Sequence, residues 1–396
     1  MTTPGFVGQR LTEARQARGI SATDLAAMVG VSVQSISKYE HGHQTPKIDV
    51  FHALASALKM PRPYFLLPMA SSGDEAPVFW RGRLSAPTVM RNRAAVRLEW
   101  MKAVVDYIAT YFELPPLNIP RVEVPSLAAL DQDFFEQVAS EIRRHWDIRP
   151  GPMPDVIEKL EANGILVSRI HVIAEKLDAF SQWSNQFGIP FVVLGRDKAS
   201  AVRQRFDALH ELAHIVVHKN IPQKRLNDPA SYKLIEQQAD RIASCLLLPA
   251  REFSEELDAP SLDGFLMLKE RWGASVGAMI MRCRALDILD EEAARRLWIN
   301  YNRRGWRANE PLDNKIEKER PHAIRRSFEL LMSEGVQSQQ EILTALPFPP
   351  NDLEEIADLE PGTLTGETKD RVEPTLKEEF RRDSGNVFHM FGGRKP

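Results

Sequence analysis

Cysteine is nearly absent: Cys245 and Cys283 are the only two in 396 residues. Their spacing supports neither a disulfide framework nor thiolate metal ligation, so both are expected as buried, reduced thiols in a cytoplasmic protein. Long apolar runs are missing as well. No stretch approaches the roughly 18 residues of a membrane span, so no membrane partner is expected. The start, Met1-Thr2-Thr3-Pro4-Gly5, lacks the basic-then-apolar pattern of a secretory signal. A strong excess of one charge is also lacking. The net charge of -3 gives no general basic field for nucleic acid, although residues 1–66 hold seven Lys/Arg against four Asp/Glu. What remains, 43% hydrophobic and 27% charged residues, is the composition of a globular chain with room for two or three domains.

Pattern along the chain suggests its divisions. Residues 5–66 read as short helices broken at Gly19, Gly30 and Gly42, with Val50–Met60 ended by Pro61 and Pro63. The small, polar run from Ala70 to Pro77 reads as a linker. Val96, Trp100, Val104, Ile108 and Tyr111 have helical spacing, and a second helix is expected over Phe134–His145. After Pro154, helix and strand alternate: a helix at Ile157–Asn163, then strands at Gly164–Ile170, Phe180–Trp183 and Ile189–Leu194. A helix carrying two histidines follows, then a loop at Asn220–Asp228 and a helix from Ser231 to Leu248. The expected domains are therefore 1–68, a 69–80 linker, an 81–150 helical bridge, 151–290, a 291–364 helical region, and a poorly ordered charged tail at 365–396.

In the first domain, Leu25, Ala26 and Val29 form one apolar face, Gly30 turns the chain, and Val31 and Ile36 point back to the core. Ser32 is a natural N-cap for the next helix. Ser32, Val33, Gln34, Ser35, Ser37 and Lys38 then stand at or near the start of a helix able to enter a major groove. Over about 60 residues this stretch resembles the helix-turn-helix of Cro/cI-type (Xre-family) repressors. The resemblance implies an all-α five-helix domain that binds a double-stranded DNA operator as a homodimer. It also implies a structural ion pair between Arg15 and Glu40. Gln34 would read adenine, and Ser35 and Lys38 would suit phosphate or base contact. Family members often carry Gln where this chain has Ala22.

The strongest chemical motif is His210-Glu211-Leu212-Ala213-His214. Side chains four apart on a helix share a face, so both imidazoles can reach one ion, with Glu211 beside them as general base. A Zn2+ site needs a third protein ligand and one open position. His218 lies on the same helix face, which cannot wrap three ligands around one ion, and Glu211 is assigned to the base role. Glu236 remains, on a following helix, in an arrangement similar to thermolysin-like proteases. Asp240, one turn later, can orient a ligand histidine. Tyr232, His218 and His322 stay open as candidates to stabilise an oxyanion.

The run from Arg205 to His214, taken with Cys245-Leu246-Leu247-Leu248-Pro249, resembles the ImmA/IrrE metallopeptidase family over roughly residues 150–290. Those proteins often have Gly at Ala213 and Glu at Gln238. The segment from Arg304 to Pro311 is also similar to longer members. The resemblance implies an α+β zincin-like metallopeptidase domain with a helical C-terminal extension, following the helix-turn-helix domain. It implies a DNA-binding regulator whose zinc-dependent endopeptidase cleaves a protein substrate, a repressor, in response to stress or another signal, either in itself or in a partner. A non-catalytic transcription factor that uses this domain as a sensor, or a toxin–antitoxin component, are the alternatives.

Overall fold

The computed structural model describes residues 3–69, 76–81, 87–171, 178–196 and 200–366. Residues 70–75 of the expected linker and the tail from 367 lie outside these.

The chain opens with helices α1 (Gly8–Arg18), α2 (Ala22–Val29), α3 (Val33–Glu40) and α4 (Ile48–Ala57), then a 3₁₀ turn at Arg62–Leu66. Ser21 caps α2 and Ser32 caps α3, each accepting from an amide three residues on. Gly30 takes the left-handed conformation (φ 68°) that turns α2 into α3. Gly8 has a different necessity: a Cβ there would lie 2.1 Å from the Tyr39 carbonyl oxygen. Arg15 pairs with Glu40 at 2.6 Å, as the resemblance implied. The fifth element is a 3₁₀ turn rather than an α-helix, because Pro61 and Pro63 remove two amide donors.

Helix α5 (Thr88–Ala109) buries Val96, Trp100, Val104 and Ile108 against this bundle, whereas Tyr111 lies beyond its end and is exposed. Tyr64 of the 3₁₀ turn, Trp100 of α5 and Phe348 pack ring against ring at 5.3–5.9 Å. Arg18 of α1 and Arg97 of α5 both reach the Asp352 carboxylate, at 2.8 and 2.7 Å.

Helices α6 (Gln132–His145) and α7 (Val156–Ala162) lie in the chain between the first and second strands of a four-stranded sheet. Its strands are β1 (Phe79–Trp80), β2 (Leu166–Ile170), β3 (Ala179–Trp183) and β4 (Pro190–Gly195), in the order β1-β3-β4-β2. Only the β2–β4 pair is parallel. Side chains alternate between two cores. Val167, Ala179, Val192 and Leu194 face one, with α7 and α8 (Ala201–Val217), while Leu166, Phe180, Phe191 and Val193 face the other, with α5. The remaining helices are α9 (Gln223–Asn227), α10 (Pro229–Leu247), α11 (Ala250–Glu256), α12 (Leu262–Trp272), α13 (Val276–Ala285), α14 (Glu291–Arg303), α15 (Ala323–Ser333), α16 (Gln339–Ala345) and α17 (Pro350–Ile356).

Two expectations of local structure change here. Phe79 and Trp80, placed in the linker, form β1; two residues are too few to show strand alternation in sequence. The expected loop at 220–228 contains α9, because buried Leu226 anchors one helical turn beneath Tyr232. Packing does not break at residue 150: Phe135, Val138 and Ile142 of α6 share a core with α8 and α10. Helices α15 to α17 pack with α5 and the first domain.

The Arg304–Pro311 segment acquires a physical role. Glu310 accepts from the Val276 and Gly277 amides at the start of α13 (2.9 and 3.1 Å) and from the buried Lys269 ammonium at 2.7 Å. Lys269 also meets Asp313 at 2.6 Å, and Asp313 accepts from Ser200, the residue that starts α8. The segment therefore braces the entry to the histidine-bearing helix. Removing the shared cation with Lys269→Met is expected to lower unfolding free energy by about 3–5 kcal/mol, since two carboxylates stay buried together. Denaturant melts measure this, and a loss below about 1 kcal/mol contradicts it.

Candidate metal and peptide site

Helix α8 is enclosed on nearly every side, and its buried face includes His210, Glu211 and His214. Asp228 caps α10 and Pro229 occupies its first turn, which fixes where that helix begins. The two helices lie together so that Glu236 Oε1 is 3.2 Å from His214 Nε2 and Glu236 Oε2 is 3.7 Å from His210 Nε2. The two Nε2 atoms are 3.0 Å apart. Two ligands each 2.0–2.1 Å from one ion, at a tetrahedral angle, stand about 3.3 Å apart. The three side chains therefore have the spacing of a ligand set, and they form a candidate metal cluster with all ligand atoms within 4.8 Å.

Hydrogen bonding sets which atoms carry protons. Gln238 donates to the Leu127 carbonyl at 2.6 Å, which turns its amide oxygen to His218 Nε2 at 3.3 Å. His218 must then donate from Nε2, leaving Nδ1 to accept from His214 Nδ1 at 2.9 Å. His214 Nε2 is left with its lone pair. On the other side, His210 Nδ1 donates to Asp240 at 2.8 Å, so its neutral form also aims a lone pair from Nε2 at the same point. With both rings neutral, two lone pairs 3.0 Å apart are placed to share one cation. The orphaned, buried Glu236 Oε1, which has no hydrogen-bond partner among the described residues, suits the same cation. The donors, two imidazoles and a carboxylate, suit a divalent ion such as zinc.

Protonation follows the same arrangement. Burial disfavours a charged His210, but Asp240 and Glu236 outweigh it and raise its pKa to about 9. Burial holds His214 down to about 4 and His218 well below its usual range. Glu236 is penalised by burial, yet its place beside the imidazoles of His210 and His214 keeps it ionised far below the ordinary carboxylate range. Burial also pushes Glu211 up to about 8, against the opposing charge of His210 and a hydrogen bond from Ser181 at 2.6 Å. Its other oxygen has no partner among the described residues.

Of the three oxyanion candidates, His218 is enclosed between His214 and Gln238, and His322 stands at the start of α15 with its ring against Arg325. Tyr232 lies one turn before Glu236 and donates to the Trp80 carbonyl. Sequence patterns missed Ser181, Phe79 and Arg81. Phe79 stacks on the His214 ring at 4.8 Å, and Arg81 pairs with Asp207 and, at 3.7 Å, with Asp240. A lone serine within a strand and an arginine beside a linker give no signal of their own.

On the DNA side, Ser32, Val33, Gln34, Ser37 and Lys38 are exposed on or just before α3. Ser35 differs: it is half-buried, and its hydroxyl is engaged with Ser32 at 2.9 Å.

Residues 160–284 match the family described as IrrE N-terminal-like domain (Peptidase_M78). Residues 11–65 match the helix-turn-helix family. The chain joins a helix-turn-helix domain to an IrrE-like metallopeptidase domain. No curated protein matches it. A solved structure of ComR from S. thermophilus, in complex with DNA and its signalling peptide ComS, is 12% identical, over 78% of this chain and 96% of that one. Its TM-score of 0.16 supports no structural argument. No helix of the described residues is long and apolar enough to cross a membrane. Within the IrrE-like domain, Cys245 and Cys283 are buried free thiols, each pushed up to about 12 by burial.

Two outcomes are expected of the site. His218→Phe and Gln238→Leu each release the His214 ring and should weaken zinc binding about 10–100-fold, measured by chelator competition. Unchanged affinity with intact circular dichroism contradicts the hydrogen-bond assignment. Because His210 titrates near 9, it holds its proton at pH 7. Zinc binding there should release about one proton, read by calorimetry in buffers of different ionisation enthalpy. No release counts against His210 as a ligand.

Proposed function

We propose that the chain is a cytoplasmic DNA-binding regulator carrying a zinc-dependent endopeptidase of the His-Glu-x-x-His-plus-Glu type. His210, His214 and Glu236 hold the ion, Asp240 orients His210, and Glu211 is the general base. One observation carries this reading: three ligand atoms from α8 and α10 converge to within 3.0–3.7 Å of one another. Bound there, Zn2+ lowers the pKa of a water towards 7 and polarises a carbonyl.

The chain's own groups supply the rest. Glu211, with one oxygen free of hydrogen bonds among the described residues, is placed to take a proton from water and deliver it to a leaving amine once the bound ion's charge favours its ionised form. Ser181 holds the other carboxylate oxygen in place. The Tyr232 hydroxyl is oriented towards the backbone carbonyl lying on β3 and suits the charge that develops on such an oxygen.

The first domain supplies the address. Gln34, Lys38 and Val33 on exposed α3 suit contacts to base edges, phosphate and a thymine methyl, and a homodimer suits a palindromic operator. The substrate in this reading is a repressor protein, this chain or a partner, cut in response to a signal.

Glu211→Gln should cut peptide hydrolysis by zinc-loaded protein about 10²–10⁴-fold while retaining zinc and operator binding. Equal hydrolysis by both proteins removes the enzymatic reading. Gln34→Ala should weaken binding to a selected operator about 5–150-fold without affecting hydrolysis, by mobility-shift titration. Unchanged DNA affinity removes Gln34 from the reading surface.

A further inference from the structure

We infer that the β3 edge is a binding site for an extended peptide of aromatic–aromatic–basic sequence, and that the chain fills it with its own Phe79-Trp80-Arg81. The inference deepens the proposed function by naming its substrate class. It rests on that reading for hydrolysis, though not for binding.

Backbone geometry comes first. β1 lies antiparallel on β3, with Phe79 opposite Ser181 and Trp80 opposite Phe180, and the Arg81 amide donates to the Ala179 carbonyl at 3.1 Å. This is how an extended peptide joins a sheet edge, with main-chain bonds for affinity and alternate pockets for specificity. A strand of two residues makes few such bonds, so it is suited to exchange.

The side chains define three positions. Phe79 is buried with its ring on His214. Trp80 points to the opposite face and packs on Phe180 at 4.8 Å. Arg81 returns to the first face, where its guanidinium meets Asp207 and Asp240 and lies 5.2 Å over the Phe206 ring. A cavity of about 580 Å³ continues from there, lined by Arg203, Asp207, Asp240, Ser244 and Trp298.

Position along α8 ties this strand to the chemistry. Phe79 lies over His214, and the Arg81 guanidinium meets Asp207 two turns earlier, so the side chains of the strand bracket the turn that carries His210 and Glu211. The Trp80 carbonyl receives the Tyr232 hydroxyl. A strand carbonyl met by a tyrosine donor, beside the Ser181 that holds Glu211, is how a substrate peptide would be presented. The acidic pair selects a basic residue just beyond it.

The test uses the full chain, freed of metal by chelation, and a fluorescent peptide with blocked ends, Ala-Pro-Val-Phe-Trp-Arg, copied from residues 76–81. A tethered strand competes at millimolar effective concentration, so Phe79→Ala combined with Arg81→Ala should tighten peptide binding about tenfold or more. In that variant, Ala in place of the peptide's Arg should weaken binding about fivefold, and adding Asp207→Asn should abolish the difference. No tightening, or no preference for the basic residue, overturns the inference. Should the double variant fail to fold, hydrogen exchange on the wild-type chain decides. Excess peptide should deprotect the Arg81 amide, and protection unchanged by peptide makes β1 a permanent strand and overturns the inference. Because no hydrolysis is read, a chain that lacks peptidase activity still shows strand exchange. A chain that cleaves without exchanging fails this inference alone.

Discussion

The register of α10 against α8 is the constraint on which the chemistry depends. Tyr232, Glu236 and Asp240 recur every four residues along one face of α10, so each meets a different part of the opposing site. Glu236 meets both imidazoles, Asp240 the back of His210, and Tyr232 the strand on β3. A slip of one helical turn, about 5.4 Å, would place Asp240 or Tyr232 where Glu236 stands and dissolve the cluster. Buried Ala213 and Ala239 leave room for close approach, and Ile235 and Ile242 lock the register by filling the core around them.

Burial then turns position into electrostatics. In water the three histidines of α8 would titrate alike. Enclosed, His210 is raised by its carboxylates while His214 and His218 are held neutral, and one helix presents three rings in different states. The chain from the Leu127 carbonyl through Gln238 and His218 to His214 gives the last ring a single orientation. His218, which helix geometry excludes as a ligand, thereby acts on the site through His214. The same enclosure rests on distant supports: Asp313 on Ser200 at the head of α8, and a sheet covered on both faces.

Much of this was legible from residue order. The His210–His214 pair, the strands near 166–170, 179–183 and 190–195, and the cap at Ser32 follow from periodicity and local hydrogen bonding. Those signals act over a few residues, and the structure agrees within one or two positions. What stayed hidden depends on contacts across long separations. Phe79 and Trp80 form a strand only because β3 is there to pair with. Arg81 and Asp207 are 126 residues apart, and Glu310 and Lys269 are 41 apart. The association of α15 to α17 with the first domain, through Asp352 and Phe348, has no trace in composition.

These contacts bear on how the two domains communicate. The helix-turn-helix domain is held by α5, by Arg18 on Asp352 and by the Tyr64–Trp100–Phe348 stack. Helix α5 also lines the far face of the sheet whose near face supports α8.

Zinc K-edge X-ray absorption of the loaded chain tests the central claim most directly. Convergence of His210, His214 and Glu236 predicts two imidazole nitrogens and carboxylate oxygen at about 2.0–2.2 Å, with the remaining position taken by water. A first shell containing sulfur, or one without imidazole, would contradict it.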